Sequence, residues 1–358
     1  MRGTLDIGLR RSAETRSRKR CALTQAPDDR GRWITLRPFP EPLEELFGAE
    51  ANGKLYVLQG LKPGWIPAGL VYDYDPAEDT WVERGQMPAP CHHAAMTAQD
   101  GAIYVFGGFE LPGGDEPAWK PIDRSWRYNP VSDDWKGLAP LPTARGAACA
   151  VTVKGKVYVI GGASQLPDDP STGIHPKRPH RSLGTVEEYD PATDAWREVT
   201  PLPTARNHAV AASAQGRILV IGGRLAGAFI TAMPGNTGIV EAYDPATDSW
   251  SERSPMPTAR SGMAAAVHQG KVYVAGGEVQ TKEYLASFRA FECYDVASDS
   301  WHPLPPLPVP RHGLAAAAVG GRIHYVSGDL QSAIVPRPDG VVVHTDLHHA
   351  FEPAQVEV

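Results

Sequence analysis

Six tryptophans recur along this chain in a fixed register with a second motif, and this repeat constrains the fold more than any other feature. They are Trp33, Trp81, Trp135, Trp196, Trp250 and Trp301. Twenty-six residues after each one lies the first position of a glycine pair, which becomes Gln59-Gly60 in the first unit and Ser327-Gly328 in the last. An interval that is the same six times indicates one structural unit repeated along the chain.

Each unit is predicted to contain four short strands, which we name a, b, c and d. In the third unit these are Gly146 to Lys154, Lys156 to Ile160, Val186 to Tyr189 and Trp196 to Val199. A tyrosine stands seven residues before each of the last five tryptophans and usually opens a Tyr-Asp-Pro-Ala-Thr-Asp turn. Because the chain also contains 36 Gly and 34 Pro, which favour tight turns between short strands, the pattern predicts an all-β protein.

This combination of paired glycines, tyrosine and tryptophan resembles the kelch repeat from residue 33 to about residue 347. The resemblance, which is closest to stand-alone bacterial kelch proteins, implies a β-propeller in which each repeat forms one blade. Six tryptophans then predict a six-bladed propeller. We expect residues 1–31 to form a disordered basic leader, residues 32–347 to form the propeller, and residues 348–358 to form a C-terminal tail.

The two ends of the chain are predicted to share the last blade. Trp33 to Leu36 has the character of a strand d that no strand a, b or c precedes. The last unit lacks a strand d, because no tryptophan follows its strands a to c, which are predicted at Leu314 to Val319, Arg322 to Val326 and Val341 to Thr345. The N-terminal strand must then complete the last sheet, which removes exposed sheet edges. His324 is expected in the core, whereas His348 and His349 are expected in a solvated tail.

Charge and composition exclude several classes of partner. The chain has a net charge of −6 although residues 1–31 carry eight Lys/Arg against four Asp/Glu, so the acidic remainder has no electrostatic reason to bind nucleic acid or an anionic membrane. No run of 18 apolar residues and no secretory signal occurs, which favours a cytoplasmic location. The four cysteines form no CxxC pair, which predicts reduced thiols. We expect a monomer, and the sequence requires no cofactor.

One face of the predicted disc carries the variation in repeat length. Strands alternate in direction, so the d-to-a and b-to-c connections emerge on one face and the a-to-b and c-to-d turns on the other. The interval from the first glycine to the tyrosine, which contains the b-to-c connection, runs 15, 21, 28, 21 and 18 residues. Unequal loops on a rigid scaffold are where recognition is usually built, so we expect the binding site on this face.

The d-to-a connections deliver six aligned tripeptides to the mouth of the central channel. They are Leu43-Glu44-Glu45, Cys91-His92-His93, Arg145-Gly146-Ala147, Arg206-Asn207-His208, Arg260-Ser261-Gly262 and Arg311-His312-Gly313. Such a ring can bind a polar ligand, perform acid–base chemistry or coordinate a metal ion. The same side chains can instead satisfy backbone groups at the strand starts, and the arginine of kelch sequences is often structural. Strand alternation should let at most one of His92 and His93 face the axis.

The b-to-c loops add further candidates. Arg224 and Glu278 directly follow glycine pairs and Asp329 follows Ser327-Gly328, and such positions line the ligand face of other kelch propellers. Loop side chains expected to add aromatic or acidic contacts are Trp65, Phe109, Glu110 and Trp119. The predicted ligand-binding residues are Glu44, Glu45, His92, His93, Asn207, His208, His312, Arg224 and Glu278, while catalytic residues and metal ligands stay unassigned.

The fold by itself does not choose a function. Kelch propellers include galactose oxidase, bacterial sialic acid mutarotase, plant specifier proteins that use iron, and adaptors that bind a peptide at the channel mouth. Galactose oxidase chemistry is not indicated, because the chain has no Tyr-His dipeptide for a copper pair. We expect a binding or interaction protein that recognises an unidentified protein or peptide, a sugar, or another polar small molecule. The alternative is a small enzyme, mutarotase-like or metal-dependent, that uses the same ring, and the sequence does not decide between them.

Overall fold

A computed structural model describes residues 30–62, 66–111, 119–168, 173–174, 180–225, 235–281, 284–331 and 343–354. The strands in these ranges form six four-stranded antiparallel sheets, and the innermost strands of neighbouring sheets contact one another in a closed ring. The predicted all-β, six-bladed propeller is therefore confirmed. In the described part of the chain, no helix is long and apolar enough to cross a bilayer.

The blades follow one another in chain order, and each contributes its strands from the channel outward. Blade 1 contains β2 (Glu44–Ala51), β3 (Lys54–Lys62), β4 (Ile66–Asp75) and β5 (Thr80–Glu83); blade 2 contains β6 (Ala95–Gln99), β7 (Ala102–Phe106), β10 (Ser125–Asn129) and β11 (Asp134–Gly137). Blade 3 contains β12 (Cys149–Val153), β13 (Lys156–Ile160), β16 (Val186–Asp190) and β17 (Ala195–Glu198); blade 4 contains β18 (Val210–Ala214), β19 (Arg217–Ile221), β20 (Val240–Asp244) and β21 (Ser249–Arg253).

The remaining two blades complete the ring. Blade 5 contains β22 (Ala264–His268), β23 (Lys271–Ala275), β26 (Phe291–Asp295) and β27 (Ser300–Pro303); blade 6 contains β28 (Ala315–Val319), β29 (Arg322–Val326), β30 (His348–Pro353) and β1 (Gly31–Thr35). Three b-to-c connections form small ribbons of their own, namely β8 (Phe109–Glu110) with β9 (Lys120–Pro121), β14 (Ala163–Ser164) with β15 (Arg181–Ser182), and β24 (Glu278–Gln280) with β25 (Leu285–Ser287).

Blade 6 joins the two ends of the chain, as predicted. Strand β1 pairs antiparallel with β30, which places Trp33 opposite Phe351. The predicted strand c at Val341 to Thr345 is wrong, because the strand that pairs here runs from His348 to Pro353. The propeller therefore continues past residue 347, and the segment expected to be a tail begins with this strand.

The error in placing this strand has a physical cause. Phe351 occupies the position that tyrosine holds in the other blades, and its tryptophan partner lies at the opposite end of the chain, so the seven-residue spacing cannot reveal it. His348 and His349 are buried in the strand rather than solvated, and His324 is buried as predicted. Residues 1–29 and 355–358, which contain nearly all of the expected leader, lie outside the described residues.

A repeated clamp of tyrosine, aspartate and tryptophan holds each blade to the one before it. In blade 3, the Tyr189 hydroxyl donates to Asp194 Oδ1 at 2.7 Å. Asp194 Oδ1 also accepts the backbone N–H of Ala139 at 2.9 Å, and Trp196 Nε1 donates to the Ala139 carbonyl at 3.0 Å. Both backbone groups of Ala139, which follows the outer strand of blade 2, are thus bound by blade 3. The same clamp recurs at Arg37, Gly85, Thr200 and Ser254.

The closing blade uses a modified clamp. Trp33 Nε1 donates to the carbonyl of Pro305 at 2.8 Å. Because proline has no backbone N–H, no aspartate is required to accept one. The Trp33 ring packs instead against Phe291, Tyr325 and Phe351, with centroids 4.9, 5.7 and 5.2 Å away. Aromatic packing therefore holds the N-terminal strand to the last blade.

Fully buried arginines lie beneath the mouth in four blades. The arginines of blades 3, 4 and 5 form ion pairs with a strand-c glutamate, in the pairs Arg145–Glu187, Arg206–Glu241 and Arg260–Glu292. In blade 6, Arg311 Nη2 instead faces His349 Nδ1 at 3.1 Å. Burial without a carboxylate partner lowers the pKa of Arg311 to about 10. This geometry favours the structural interpretation of the repeated arginine.

Small side chains on the innermost strands line the central channel. A Cβ added to Gly48 would lie 2.6 Å from the Ala316 carbonyl oxygen, so the strands approach each other closely here. A cavity of about 140 Å³ occupies the middle of the channel. A second cavity of about 330 Å³ lies at the other end of the channel, where the innermost strands approach the a-to-b turns. Polar side chains concentrate at the opposite end, where the d-to-a connections enter.

Candidate functional site

Each blade presents its tripeptide to the mouth through the same backbone conformation. The third residue always has a positive φ, with values of 53° at Glu45, 55° at His93, 53° at Ala147, 51° at His208, 61° at Gly262 and 59° at Gly313. This left-handed conformation disfavours most side chains, yet blades 1, 2 and 4 carry large polar ones there. Alanine and glycine in the other three blades leave room for them, so the ring is asymmetric.

Seven of the nine predicted ligand residues surround one small cavity at the channel mouth, although they come from five blades. They are Glu44, Glu45, His93, His208, Arg224, Glu278 and His312, and the lining is completed by Leu61, Trp119 and Gln280. We call these ten residues the mouth site. The cavity measures about 20 Å³, which is enough for a water molecule or an ion.

The other two predicted residues, His92 and Asn207, lie buried behind the mouth site. Asn207 Oδ1 accepts hydrogen bonds from Arg224 Nε at 3.1 Å and from His208 Nδ1 at 2.6 Å. Asn207 Nδ2 donates to Ser182 Oγ at 2.8 Å. Asn207 therefore positions lining residues without lining the cavity itself.

Arg224 organises the blade-4 side of the mouth site. Its Nη1 donates to Glu278 Oε1 and Gln280 Oε1, both at 3.1 Å, and its Nη2 donates to His208 Nε2 at 2.9 Å. Because arginine only donates, His208 Nε2 must accept, so the His208 proton resides on Nδ1. Burial, followed by the charge of Arg224, lowers the pKa of His208 well below its usual range. This side is a closed network around a neutral imidazole.

Two adjacent histidines form a chain of contacts that ends at Glu45. His93 Nε2 lies 3.2 Å from Glu45 Oε2, and His93 Nδ1 lies 2.5 Å from His92 Nδ1. The two rings touch, with centroids 4.8 Å apart, because the positive φ of His93 breaks the alternation expected of a strand. Of the pair, only His93 lines the cavity. If Glu45 accepts the Nε2 proton of His93, then His92 donates to His93 through Nδ1.

Glu44 lies between two imidazoles on the blade-6 side. Its Oε2 is 3.4 Å from His312 Nε2 and its Oε1 is 3.6 Å from His344 Nε2. His344 Nε2 is also 3.5 Å from Asp329 Oδ2. His312 Nε2 in turn lies 3.4 Å from Glu278 Oε2, so Glu278 connects this cluster to Arg224.

Burial and neighbouring charges shift the pKa values of this cluster in opposite directions. Burial disfavours the imidazolium, but Glu278 and Glu44 overcome it and raise the pKa of His312 to about 10. Burial also opposes ionisation of Glu44, yet contacts with His312 and His344 hold its pKa below the usual range. Burial and the charge of Glu44 raise the pKa of Asp329 to about 6. At neutral pH an imidazolium therefore lies beside an ionised carboxylate.

Three residues at the site, Leu61, Gln280 and His344, were not predicted from the sequence, and one predicted residue does not line the cavity. Gln280 and His344 lie in b-to-c connections at positions that no repeat spacing marks. Glu110 was expected to contribute, but it pairs with Lys120 at 3.3 Å and Arg124 at 2.8 Å and does not line the cavity. Of the remaining loop candidates, Trp119 lines the cavity and stacks on Phe109 at a centroid distance of 5.7 Å, whereas Trp65 lies outside the described residues.

Exposed apolar side chains lie on the same face of the propeller as the polar mouth. Five of the seven large apolar residues exposed in the described ranges lie in or directly beside b-to-c connections. These five, which we call the rim, are Ile66, Leu166, Leu225, Tyr284 and Leu285. They come from four blades, so the face with the variable loops combines a polar centre with an apolar periphery.

Comparisons with known proteins agree with this architecture. The family model described as the KLHDC2/KLHL20/DRC7 Kelch-repeats domain matches residues 141–328, just over half of the chain, and the model described as the Kelch motif matches residues 90–142. The solved structure of YjhT has a TM-score of 0.69 at 19% identity and covers 87% of this chain and 95% of that one, which shows the same fold.

Several curated relatives share the repeats across most of this chain. Kelch-like protein terF of Aspergillus terreus is 29% identical over 326 residues, which cover 86% of this chain and 67% of that protein. Beta-scruin of Limulus polyphemus is 29% identical over 271 residues, 72% of this chain and 27% of that protein. Kelch-like protein 25 of Xenopus tropicalis is 26% identical over 258 residues, 72% of this chain and 40% of that protein. The chain thus spans less than half of the length of the latter two relatives. The matching family model, the repeats and the closed six-bladed ring show that the chain belongs to the kelch-repeat family.

Proposed function

We propose that this chain is a binding propeller whose mouth site recognises a polar group on a sugar, a peptide or another small molecule. The observation that carries the proposal is the convergence of seven residues from five blades on one cavity. Kelch propellers as a class mediate interactions with proteins or ligands, and the mouth face of this chain combines a polar cavity with exposed apolar side chains. We propose that the protein acts as a cytoplasmic monomer.

The chemistry of the mouth favours a ligand that donates hydrogen bonds. Glu44, Glu45 and Glu278 supply carboxylate oxygens, which can each accept more than one hydrogen bond, whereas four of the five N–H donors of Arg224 are bound by protein groups. Hydroxyl, amide and ammonium groups are donors of the kind that carboxylates bind well. The apolar rim then contacts the body of the ligand, as a sugar ring or a peptide side chain requires.

One observation favours an enzyme as the second candidate. His312, with a pKa raised to about 10, lies 3.4 Å from the ionised Glu44, and Asp329, with a pKa raised to about 6, lies close by. Groups whose environments separate their pKa values in this way are suited to act as a general acid and a general base. A mutarotase-like reaction at the mouth would use them in those roles, and turnover of a sugar that binds would distinguish it from simple binding.

The proposal predicts a ligand whose affinity depends on Glu45. The full chain is screened by thermal shift and calorimetry against monosaccharides and polyols, and by selection from a displayed random-peptide library. Glu45→Gln removes a charged acceptor but keeps the side-chain shape, so the affinity of the selected ligand should fall at least tenfold, or about 1.4 kcal/mol. Because the Glu45 side chain is 16% exposed, stability should change by at most about 1 kcal/mol.

A matched substitution on the opposite face provides the control. Glu78 is exposed in the c-to-d turn of blade 1, and Glu78→Gln should leave the affinity unchanged. Tyr284→Ser, which removes an exposed rim side chain, should weaken binding as Glu45→Gln does. Failure of the screen to return any ligand, or a ligand lost on Glu78→Gln and retained on Glu45→Gln, would contradict the proposal.

A further inference from the structure

We infer that Glu44, Asp329 and His344 together bind one divalent transition-metal ion at the blade-6 side of the channel mouth. The inference rests on the proposed mouth site and deepens it by adding a metal ion next to the ligand cavity. Metal binding and ligand binding are measured separately, so failure of one can be told from failure of the other.

The distances within the cluster suit a metal ion better than direct hydrogen bonds. His344 Nε2 is 3.6 Å from Glu44 Oε1 and 3.5 Å from Asp329 Oδ2, both longer than the 2.7–3.2 Å or so of a good N–H···O hydrogen bond. A tetrahedral ion with bonds of about 2.1 Å separates its ligand atoms by roughly 3.4 Å. The potential ligand atoms of all three residues lie within 4.8 Å of one another, so an ion between them requires only small side-chain adjustments.

The backbone holds two of these ligands side by side. Asp329 and His344 form an antiparallel bridge, and the Leu330 N–H donates to the Val343 carbonyl at 3.0 Å. The backbone N–H of Gln331 donates to Asp329 Oδ1 at 2.8 Å, which leaves Oδ2 directed at His344. Backbone hydrogen bonds at the base of this b-to-c connection therefore hold Asp329 and His344 side by side.

The third ligand is positioned by a neighbour on the other side of the mouth. Glu44 uses Oε1 towards His344, while its Oε2 faces His312 Nε2 at 3.4 Å. We assign His312 as a positioning residue that orients the Glu44 carboxylate. Glu44 and Asp329 are both buried, and buried carboxylates are stabilised by ion pairing or by coordination to a metal. A divalent ion between them would add to the pairing that His312 already gives Glu44.

The ligand types narrow the choice of metal. One imidazole with two carboxylates suits Zn²⁺, Mn²⁺ or Fe²⁺, whereas Mg²⁺ and Ca²⁺ prefer sites made of oxygen alone. The thiols of Cys91, Cys149 and Cys293 are buried within the blades, and none belongs to the cluster. The bound ion should therefore show nitrogen and oxygen ligands without sulfur.

The test measures metal binding by the full chain directly. Protein stripped with a chelator is titrated with Zn²⁺ by calorimetry and with Co²⁺ by visible absorption, and metal content is measured after gel filtration. We expect one equivalent to bind, and Co²⁺ to give ligand-field bands without thiolate charge-transfer absorption. His344→Gln and Asp329→Asn should each lower the Zn²⁺ affinity at least tenfold, whereas His302→Gln, on the outer strand of blade 5, should not change it.

Two results would overturn the inference. One is binding of less than half an equivalent by the wild-type chain, which decides the question even if a substituted variant fails to fold. The other is an unchanged Zn²⁺ affinity in folded His344→Gln and Asp329→Asn proteins. If either result is obtained while a sugar or peptide still binds the chain and is still lost on Glu45→Gln, only the metal site is overturned and the proposed function stands.

Discussion

Removing residues 1–37 is expected to destabilise the propeller by at least about 3 kcal/mol. The deletion removes β1, whose five residues pair with β30 from Pro353 to His349. It also removes Trp33, which packs against three aromatic rings and donates to the Pro305 carbonyl. Loss of a core aromatic side chain costs about 3–5 kcal/mol; Trp33 is only partly buried, so the lost strand pairing and the opened sheet edge must supply part of the effect.

A shorter deletion controls for the loss of the N-terminal segment as such. Removing residues 1–29 keeps β1, so the midpoint of urea unfolding should stay close to that of the full chain. Trp33→Ala in the full chain should reproduce much of the effect of the longer deletion. Equal unfolding midpoints for the two deletions would contradict N-terminal closure of blade 6.

Leaving one buried arginine without its carboxylate is expected to cost about 3–5 kcal/mol. In blade 5, Glu292 accepts from Arg260 Nη1, and both side chains are buried. Glu292→Leu would leave the Arg260 charge in the core with only backbone carbonyls as partners. The free energy of unfolding, measured by urea denaturation, should fall by that amount in the single variant.

The double variant separates the ion pair from simple packing. Replacement of a whole buried ion pair by apolar residues of similar size is often neutral, so Arg260→Met combined with Glu292→Leu should recover most of the lost stability. Blade 6 provides the reciprocal control, because Arg311 faces His349 and not a glutamate. His349→Glu should stabilise the protein at pH 7. Additive losses in the double variant, or destabilisation by His349→Glu, would show that these arginines are not held by their carboxylates.

The blade count and the closure could be predicted because the clamp ties specific residue types to fixed positions. Each tryptophan binds the neighbouring blade directly, and each tyrosine holds the aspartate of its own blade that binds the same neighbour, so a shift of one residue would break these contacts. Strand c of blade 6 could not be placed by this rule, since Phe351 makes no such hydrogen bond and pairs with a tryptophan from the other end of the chain. Residue spacing predicts a contact only where both partners belong to the same local repeat.

The mouth site was predictable only in part, and for a similar reason. The tripeptide positions follow from the register, which brought Glu44, His93 and His312 to the right place. The direction of the hydrogen bonds around Arg224, and the burial that shifts the pKa of His208, depend on three-dimensional packing that spacing does not contain. His344 was missed because residues 341–345 were assigned to strand c, whereas the structure pairs His344 with Asp329 before the strand His348–Pro353 begins.

Amide hydrogen exchange of the full chain, with and without the sugar or peptide returned by the screen, is the most direct test of the mouth as the functional site. The account predicts slower exchange in the bound state at the tripeptides 43–45, 206–208 and 311–313 and in the ribbon at 278–281, with the rest of the propeller unchanged. Protection confined to the c-to-d turns at 75–79 and 190–194, with the mouth unaffected, would place the site on the opposite face and contradict the account.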